Sequence, residues 1–554
     1  MKRYAIIPRL FLFFAAWLVP LSIFAQASNQ KDVFVVKPYE PVLSDAVKMN
    51  FLPRISDTSH IRPSFSYGIQ SRKVPTDYQV APITAAKMVA EPIPRLYKSY
   101  IRLGIGNYLT PLAELNINNL RSSSFSGGFS FRHLSSQWNY ERTDNRKVSA
   151  GYANNDASLY AEKIMKHLVL AGEANFTANT VHYYGYNPNS DTTLSKDAIT
   201  QDILHGEGIL KLSSNPSDSG KMHVDARLAY GYTALKDNHN EGGLDAELNL
   251  GKVKDGNYLL GGLSFKYFQP SANIDTAYHA LFELKPSFNR KSNDWRFSVG
   301  LNLTTDIVGG KSTFTLYPHG LLEFTAVDKI LVPYFGVGGH KDINDYYSVL
   351  QENPFADPGL SVASTNYKIT GFGGLKGNLG TELAYNVNVS YSSVDHMYFF
   401  VNEADADSLG NRFGVQYDNV DLLTYKGEVA YTKGNKLYIR FTGVYNQYSM
   451  SKLKEPFHKD LIDFTLEGRY NLMDKIIASA AVYYIGERYA LPLSGSGVAD
   501  LKGVADINLG VEYRYTKLLS AFIHINNLGA ARYYQWYQYP SQRFSFMIGF
   551  TYAL

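Results

Sequence analysis

Cysteine is absent from this chain of 554 residues. Its absence excludes a disulfide scaffold, thiolate metal sites, a cysteine nucleophile and a lipid-modified cysteine after an export signal. An excess of one charge sign is missing too: 54 Lys and Arg face 50 Asp and Glu, a formal +4 spread along the chain. Nucleic-acid binding needs a concentrated basic face, so nucleic acid is not an expected partner. Long hydrophobic runs are scarce, and the mean hydropathy is −0.21. That excludes a bundle of membrane helices, each of which needs about 20 mostly apolar residues. Charged residues make up only 19%, whereas tyrosine (43), phenylalanine (31) and glycine (44) are plentiful. The length suits three or four soluble domains or one large barrel; the composition suits an aromatic-rich β protein.

Residues 1–25 read as a secretory signal. Lys2, Arg3 and Arg9 form a positive start, residues 10–19 an apolar stretch, and Pro20 ends it. Cleavage is expected after Ala25, or after Ala27 through the Ala25-Gln26-Ala27 pattern. A retained anchor is the alternative, but the apolar stretch is too short for one. Residues 26–97 carry prolines at 38, 41, 53, 63, 75, 82, 92 and 94, which remove backbone donors and interrupt any ladder. Asp32, Val33, Phe34, Val35 and Val36 read as a short strand, and 44–49 as a helical turn capped by Ser44. So short a segment cannot build its own core. It is expected to be a periplasmic leader, or a partial filler of the domain formed by residues 98–554.

Residues 98–554 alternate apolar and polar in segments of about ten, as transmembrane β-barrel strands require. Phe544, Phe546, Ile548, Phe550, Tyr552 and Leu554 share one face of the last segment, opposite Arg543, Ser545 and Thr551. Ile507, Leu509, Val511 and Tyr513 alternate with Asn508, Glu512 and Arg514 in the same way. A soluble sandwich has this period as well, with shorter strands and the apolar face turned inward. Export, strand length and aromatic clusters favour the membrane. Tyr183, Tyr184 and Tyr186, and the run from Tyr533 to Tyr539, are read as interfacial girdles. Short links such as 166–167, 289–294, 327–329, 376–380, 433–435 and 473–475 alternate with longer ones near 135–153, 185–199, 342–363, 394–420, 450–459 and 489–502. Short turns belong to the periplasm and long loops to the outside. The expected fold is an all-β, antiparallel transmembrane β-barrel of about 22 strands (20–22) with a short irregular N-terminal periplasmic segment.

Charges on the polar faces are expected to line the lumen: Glu114, Asp225, Arg227, Asp245, Glu247, Arg296, Arg440, Asp463, Glu467, Arg469, Glu512 and Arg514. They could bind a polar solute or dock a plug; the simpler reading is a cross-strand ion-pair lattice in a hydrated interior. Catalytic chemistry has no motif here. Gly104-Ile105-Gly106 lies within a strand and lacks the helix N-terminus of a phosphate cradle. No histidine pair has the helical spacing of a zinc hydrolase. Residues 405–411 superficially match a calcium loop, but Leu409 sits at a ligand position, and a solvated external loop is the better reading. No enzyme activity, cofactor or metal is expected.

The terminal stretch carries the most specific pattern. Phe522 to Gly529 forms a strand ending in Asn527-Leu528; next come a loop with Trp536 and Tyr539-Pro540, then Arg543 and an aromatic closing strand. This resembles the final hairpin of TonB-dependent outer-membrane receptors. The strand number, the tyrosine-rich strands and the alanine-glutamine cleavage region resemble such receptors from the Bacteroidota phylum. Members of that family carry a globular plug, and residues 26–97 are too few for one. Asp32–Val36 is similar to the short box by which such receptors touch a periplasmic energy-coupling protein, although any exposed N-terminal strand has that composition. The resemblance implies uptake or passage of a solute across the outer membrane with a reduced N-terminal gate. Under it, bilayer conductance is low and rises when residues 28–97 are removed. The alternative is a non-transporting barrel subunit of an outer-membrane assembly or secretion complex. Expected partners are outer-membrane lipids and either the coupling protein or a surface lipoprotein or other outer-membrane subunit.

Overall fold

A computed structural model describes residues 97–554 apart from 121, 143–144, 187–194, 215–221, 255–256, 404–409 and 494–496. The signal, the proline-rich segment, Asp32–Val36 and the turn at 44–49 lie outside the described residues. The described chain forms a 22-stranded antiparallel sheet. Each strand pairs with its neighbours in sequence. The first, Ser99–Gly106, also pairs with the last, Ser545–Ala553, so that Leu103 lies opposite Phe550. Closure removes the free edges that an open sheet would present, the condition for crossing hydrocarbon, although the strands Lys311–Phe324 and Val332–Asp342 pair only between Gly320–Glu323 and Tyr334–Val337.

The side chains identify which face meets lipid. Along the last strand Phe546, Ile548 and Phe550 stand exposed, Ile548 at 50% of its surface, and on another strand Phe314 reaches 65%. The opposite faces hold paired charges, among them Arg227 with Asp245 and Arg440 with Glu467. A sandwich would bury these apolar faces; here an apolar belt faces outward, the arrangement of a barrel that crosses a membrane. Leu316, near the middle of the strand Lys311–Phe324, is 51% exposed on this belt. Leu316→Arg should destabilise the barrel by about 2–4 kcal/mol if the site lies at the bilayer midplane. The measurement is the urea midpoint of refolding into lipid vesicles, and an unchanged midpoint would place Leu316 off the belt.

Tight turns such as 165–167, 292–294, 380–382, 434–436 and 473–475 join strands at the end where the chain enters and leaves the barrel. Long links, 343–364, 486–503 and 527–544, lie at the other end. Two features depart from the expected alternation. Links 107–109 and 309–310 at the loop end are as short as turns. The second is a hairpin in which Gly309 and Gly310 take φ of 54° and 84°, the left-handed pair that a two-residue connection requires.

The link expected at 394–420 is only 403–412, because the strands Leu383–Asn402 and Phe413–Lys433 run 20 and 21 residues. A bulge between Val394 and Met397, with His396 at φ 56°, breaks the alternation there without ending the pairing. Past it, Met397, Phe399 and Val401 are buried rather than turned toward lipid. These strands therefore extend well past the roughly 9–11 residues that a membrane requires.

Candidate functional site

The inner face of the barrel carries cross-strand ion pairs. Arg227 reaches Asp245 at 2.9 Å and Glu207 at 3.5 Å. Arg440 pairs with Glu467 at 2.9 Å, and Glu114 meets Arg132 at 3.4 Å and Arg102 at 3.9 Å. Glu323 bridges Arg296 at 3.3 Å and Lys376 at 2.6 Å, while Arg514 and Glu512 approach to 3.9 Å on one strand. Glu247 lies directly across from Arg227 in register, Asp463 across from Val444 and Arg469 across from Tyr438, and Asp225 is exposed opposite Asn249. Most partners come from adjacent strands, as expected of a lattice that keeps hydrated charges satisfied.

A second assembly, at the loop end, is built from segments far apart around the ring. Ile203, Leu235, Tyr346, Val349, Leu350, Ala356, Phe400, Phe413, Trp536 and Tyr539 form one buried core. Its helix, Tyr346–Glu352, is capped by the Asp345 carboxylate, which accepts from the Ser348 N–H at 3.0 Å. Tyr539 is 1% exposed, stacks on Phe355 at 3.9 Å and meets Tyr184 edge-on at 4.8 Å. Polar bonds fasten the loops together. Tyr183 Oη donates to the Ala356 carbonyl at 3.1 Å, Asn411 Nδ2 to the Tyr183 carbonyl at 2.9 Å, and Tyr539 Oη to the Asn411 carbonyl. Arg412 pairs with Asp357 at 3.1 Å, and the Arg488 guanidinium donates to the Gln535 and Tyr534 carbonyls at 2.8 and 2.7 Å.

The order of strands in the closed sheet locates these contacts. Tyr183 follows the fifth strand and Asn411 precedes the sixteenth, so their loops lie nearly opposite each other in a ring of 22. A 2.9 Å bond between them spans the barrel opening. Ile203 and Leu235, from the loop-end parts of their strands, seat the core against the barrel wall.

Burial sets the electrostatics of this core. His458 is stacked on Trp536 at 5.1 Å and its Nε2 accepts the Tyr537 N–H at 3.3 Å, which leaves the proton on Nδ1 without a partner. Burial, reinforced by Arg488 and Lys459, pushes its pKa down to about 3. Burial also lowers the pKa of Arg488, although Asp460 at 3.5 Å opposes that. Tyr533 is pushed up to about 12 by burial and the Asp506 carboxylate, and Tyr539 is raised further by burial.

Several sequence expectations change here. Tyr183, Tyr186, Trp536 and Tyr539 are core residues of the loops and not interfacial girdles, since all four are nearly fully buried. They lie past the strand ends, where rings can pack on other loops instead of meeting headgroups. Residues 404–409 lie outside the described residues, but Gly410 and Asn411 are buried, so that end of the expected solvated loop belongs to the core.

The terminal segment serves the same assembly. Asn527, at φ 49°, donates through Nδ2 to the Ala531 and Gln542 carbonyls at 2.7 and 3.1 Å, tying the two ends of the loop. Leu528 is exposed, Arg543 Nε donates to the Ala530 carbonyl at 2.9 Å, and the Pro540 carbonyl accepts from Tyr184 Oη at 3.0 Å. His458, Arg488 and Phe355 do not stand out in the sequence. Their signal is the density of aromatics and Pro in segments that follow no period of two.

No family model matches the chain, and no curated protein matches it. Solved structures do. The FrpB iron transporter from Neisseria meningitidis superposes with a TM-score of 0.66 at 10% identity, over 83% of this chain and 82% of that one. The copper transporter OprC gives 0.63 at 12% identity, over 83% and 82%. The ferripyoverdine receptor of the outer membrane of Pseudomonas aeruginosa gives 0.60 at 11%, over 84% and 72%. At such identities the likeness is one of fold.

Proposed function

We propose that this chain is an outer-membrane barrel of the TonB-dependent-receptor type, through which a solute passes when the interlocked loops at its outer mouth separate. The bond between Asn411 and Tyr183 across the opening carries this reading, because it makes the loops a closed lid. A ring of 22 strands is wide enough to leak unless filled. The likeness in fold to iron and copper transporters and to a ferripyoverdine receptor supports uptake as the purpose of opening. None of those proteins is described as an enzyme, in keeping with a role in passage. Residues 26–97 act as a reduced N-terminal gate, and Asp32–Val36 as the segment that meets an energy-coupling protein. The inner charges, Arg227, Glu467 and Arg440 among them, keep the passage hydrated.

Two seals in series make a specific prediction for planar-bilayer conductance. The intact protein should conduct little. Removing residues 28–97 alone should raise conductance only modestly, because the lid remains; in a lid-breaking background the same deletion should produce a large further rise. Equal conductance with and without residues 28–97 in that background would remove the gating role of the segment.

The density of bonds in the lid also fits a second reading, a barrel that stays shut as a subunit of an outer-membrane assembly. Affinity capture in mild detergent separates the two: a stoichiometric complex favours the subunit, a lone barrel with energy-dependent solute uptake the transporter.

A further inference from the structure

Beside the lid lies a cavity of about 310 Å³, between the segment 343–364, the link 271–278 and the ends of several strands. Its size is at the lower end for small-molecule sites, which run about 300–1,000 Å³. Three carboxylates line it, Glu241, Asp275 and Asp345, and no Lys or Arg does. Two of the three are occupied. Asp275 accepts from the Ala277 N–H at 3.0 Å and the Ser361 hydroxyl at 3.1 Å, and Asp345 caps the helix through Ser348. His279 is held by Asp306 at 2.5 Å and Ser364 at 3.1 Å.

Glu241 differs. Its Oε1 accepts the Tyr346 N–H at 2.8 Å, which fixes the carboxyl, and its other oxygen has no hydrogen-bond partner among the described residues. Glu241 as a whole is half-buried, on the wall of the cavity. The remaining walls are largely apolar, with Ile274, Val308 and Leu360 among them. A fixed carboxyl in an apolar chamber recognises a donor that brings its own positive charge. The carboxylates are too dispersed for an inorganic ion: among the described residues, no group of three His, Asp or Glu is arranged to hold a metal.

We infer that this cavity binds a small organic amine in its ammonium form, the charged nitrogen on Glu241 and an apolar body against Ile274, Val308 and Leu360. The inference goes beyond the passage reading and does not rest on it, because binding can be measured on a barrel that transports nothing.

The test is calorimetric titration of the whole detergent-solubilised protein with three probes of nearly equal shape: phenethylammonium, 2-phenylethanol and phenylacetate. The ammonium should bind roughly tenfold or more tightly than the alcohol, as expected of a hydrogen bond to a charged group, and phenylacetate should bind weakest. Glu241→Gln retains the acceptor for Tyr346 and should reduce the preference for ammonium over alcohol to less than about threefold. Equal affinity for ammonium and alcohol, or binding of none of the three, overturns the inference on the unaltered protein alone. An undiminished preference in Glu241→Gln overturns the assignment to Glu241.

Discussion

Tyr539→Ala should unlatch the lid and convert a poorly conducting barrel into a leaky one. Tyr539 lies at the centre of the loop core, 1% exposed, between Phe355, Tyr184 and Phe413, and its hydroxyl donates to Asn411 in a loop about a quarter of the way around the ring. Truncating a buried aromatic costs about 3–5 kcal/mol through lost burial and the cavity left behind. The loops have far less backbone pairing to resist that loss than the strands, so the cost falls on the lid. Tyr539→Phe keeps the ring and loses only the bond to Asn411, about 1 kcal/mol, and should leave the mouth shut. Conductance and trypsin cleavage within 451–461 and 486–503 should rise together in Tyr539→Ala, while the barrel keeps its heat-modifiable migration on gels. A variant that stays closed and uncleaved would mean that the core tolerates the void.

Acid should open the same lid. His458 is packed neutral, with a pKa of about 3 against 6.5 for the free side chain. A histidine depressed in the folded state stabilises it fully above the unfolded pKa, and that stability is lost as the pH falls below 6.5 toward 3. The charges facing it sharpen the effect: Arg488 and Lys459 repel an imidazolium, while Trp536 and Phe413 deny it water. Burial raises the pKa of Asp460, so acid also neutralises the carboxylate that offsets Arg488. Tryptic cleavage of the lid and conductance should therefore increase between neutral pH and about pH 4. His458→Gln can still accept from the Tyr537 N–H and should flatten this dependence. An identical acid response in His458→Gln would assign the opening to other groups.

How much of this is legible in the sequence depends on the period of each segment. Residues 544–554 alternate cleanly, and the structure turns Phe546, Ile548 and Phe550 outward. Closure and strand number come from repeating that pattern along the chain. Past the bulge at Val394–Met397 the rule fails, because a register shift inverts the alternation and Met397, Phe399, Phe400 and Val401 are buried alike. The tyrosine clusters fail for a related reason: composition fits either headgroups or a packed loop core, and only their partners distinguish the two. Asn411, Tyr183 and Tyr539 are far apart in the chain, so nothing local announces that they touch.

The barrel, its lipid-facing belt and the charges of its interior are written in the order of the residues. Those properties are set by side chains alternating along single strands and by pairing between strands adjacent in the chain. Closure of the mouth by the loops, burial of His458 among cations and the free oxygen of Glu241 in a cavity arise only in the folded ring. Each of these is a contact between segments that ring closure brings together from distant positions, and such contacts leave no periodic trace in the sequence.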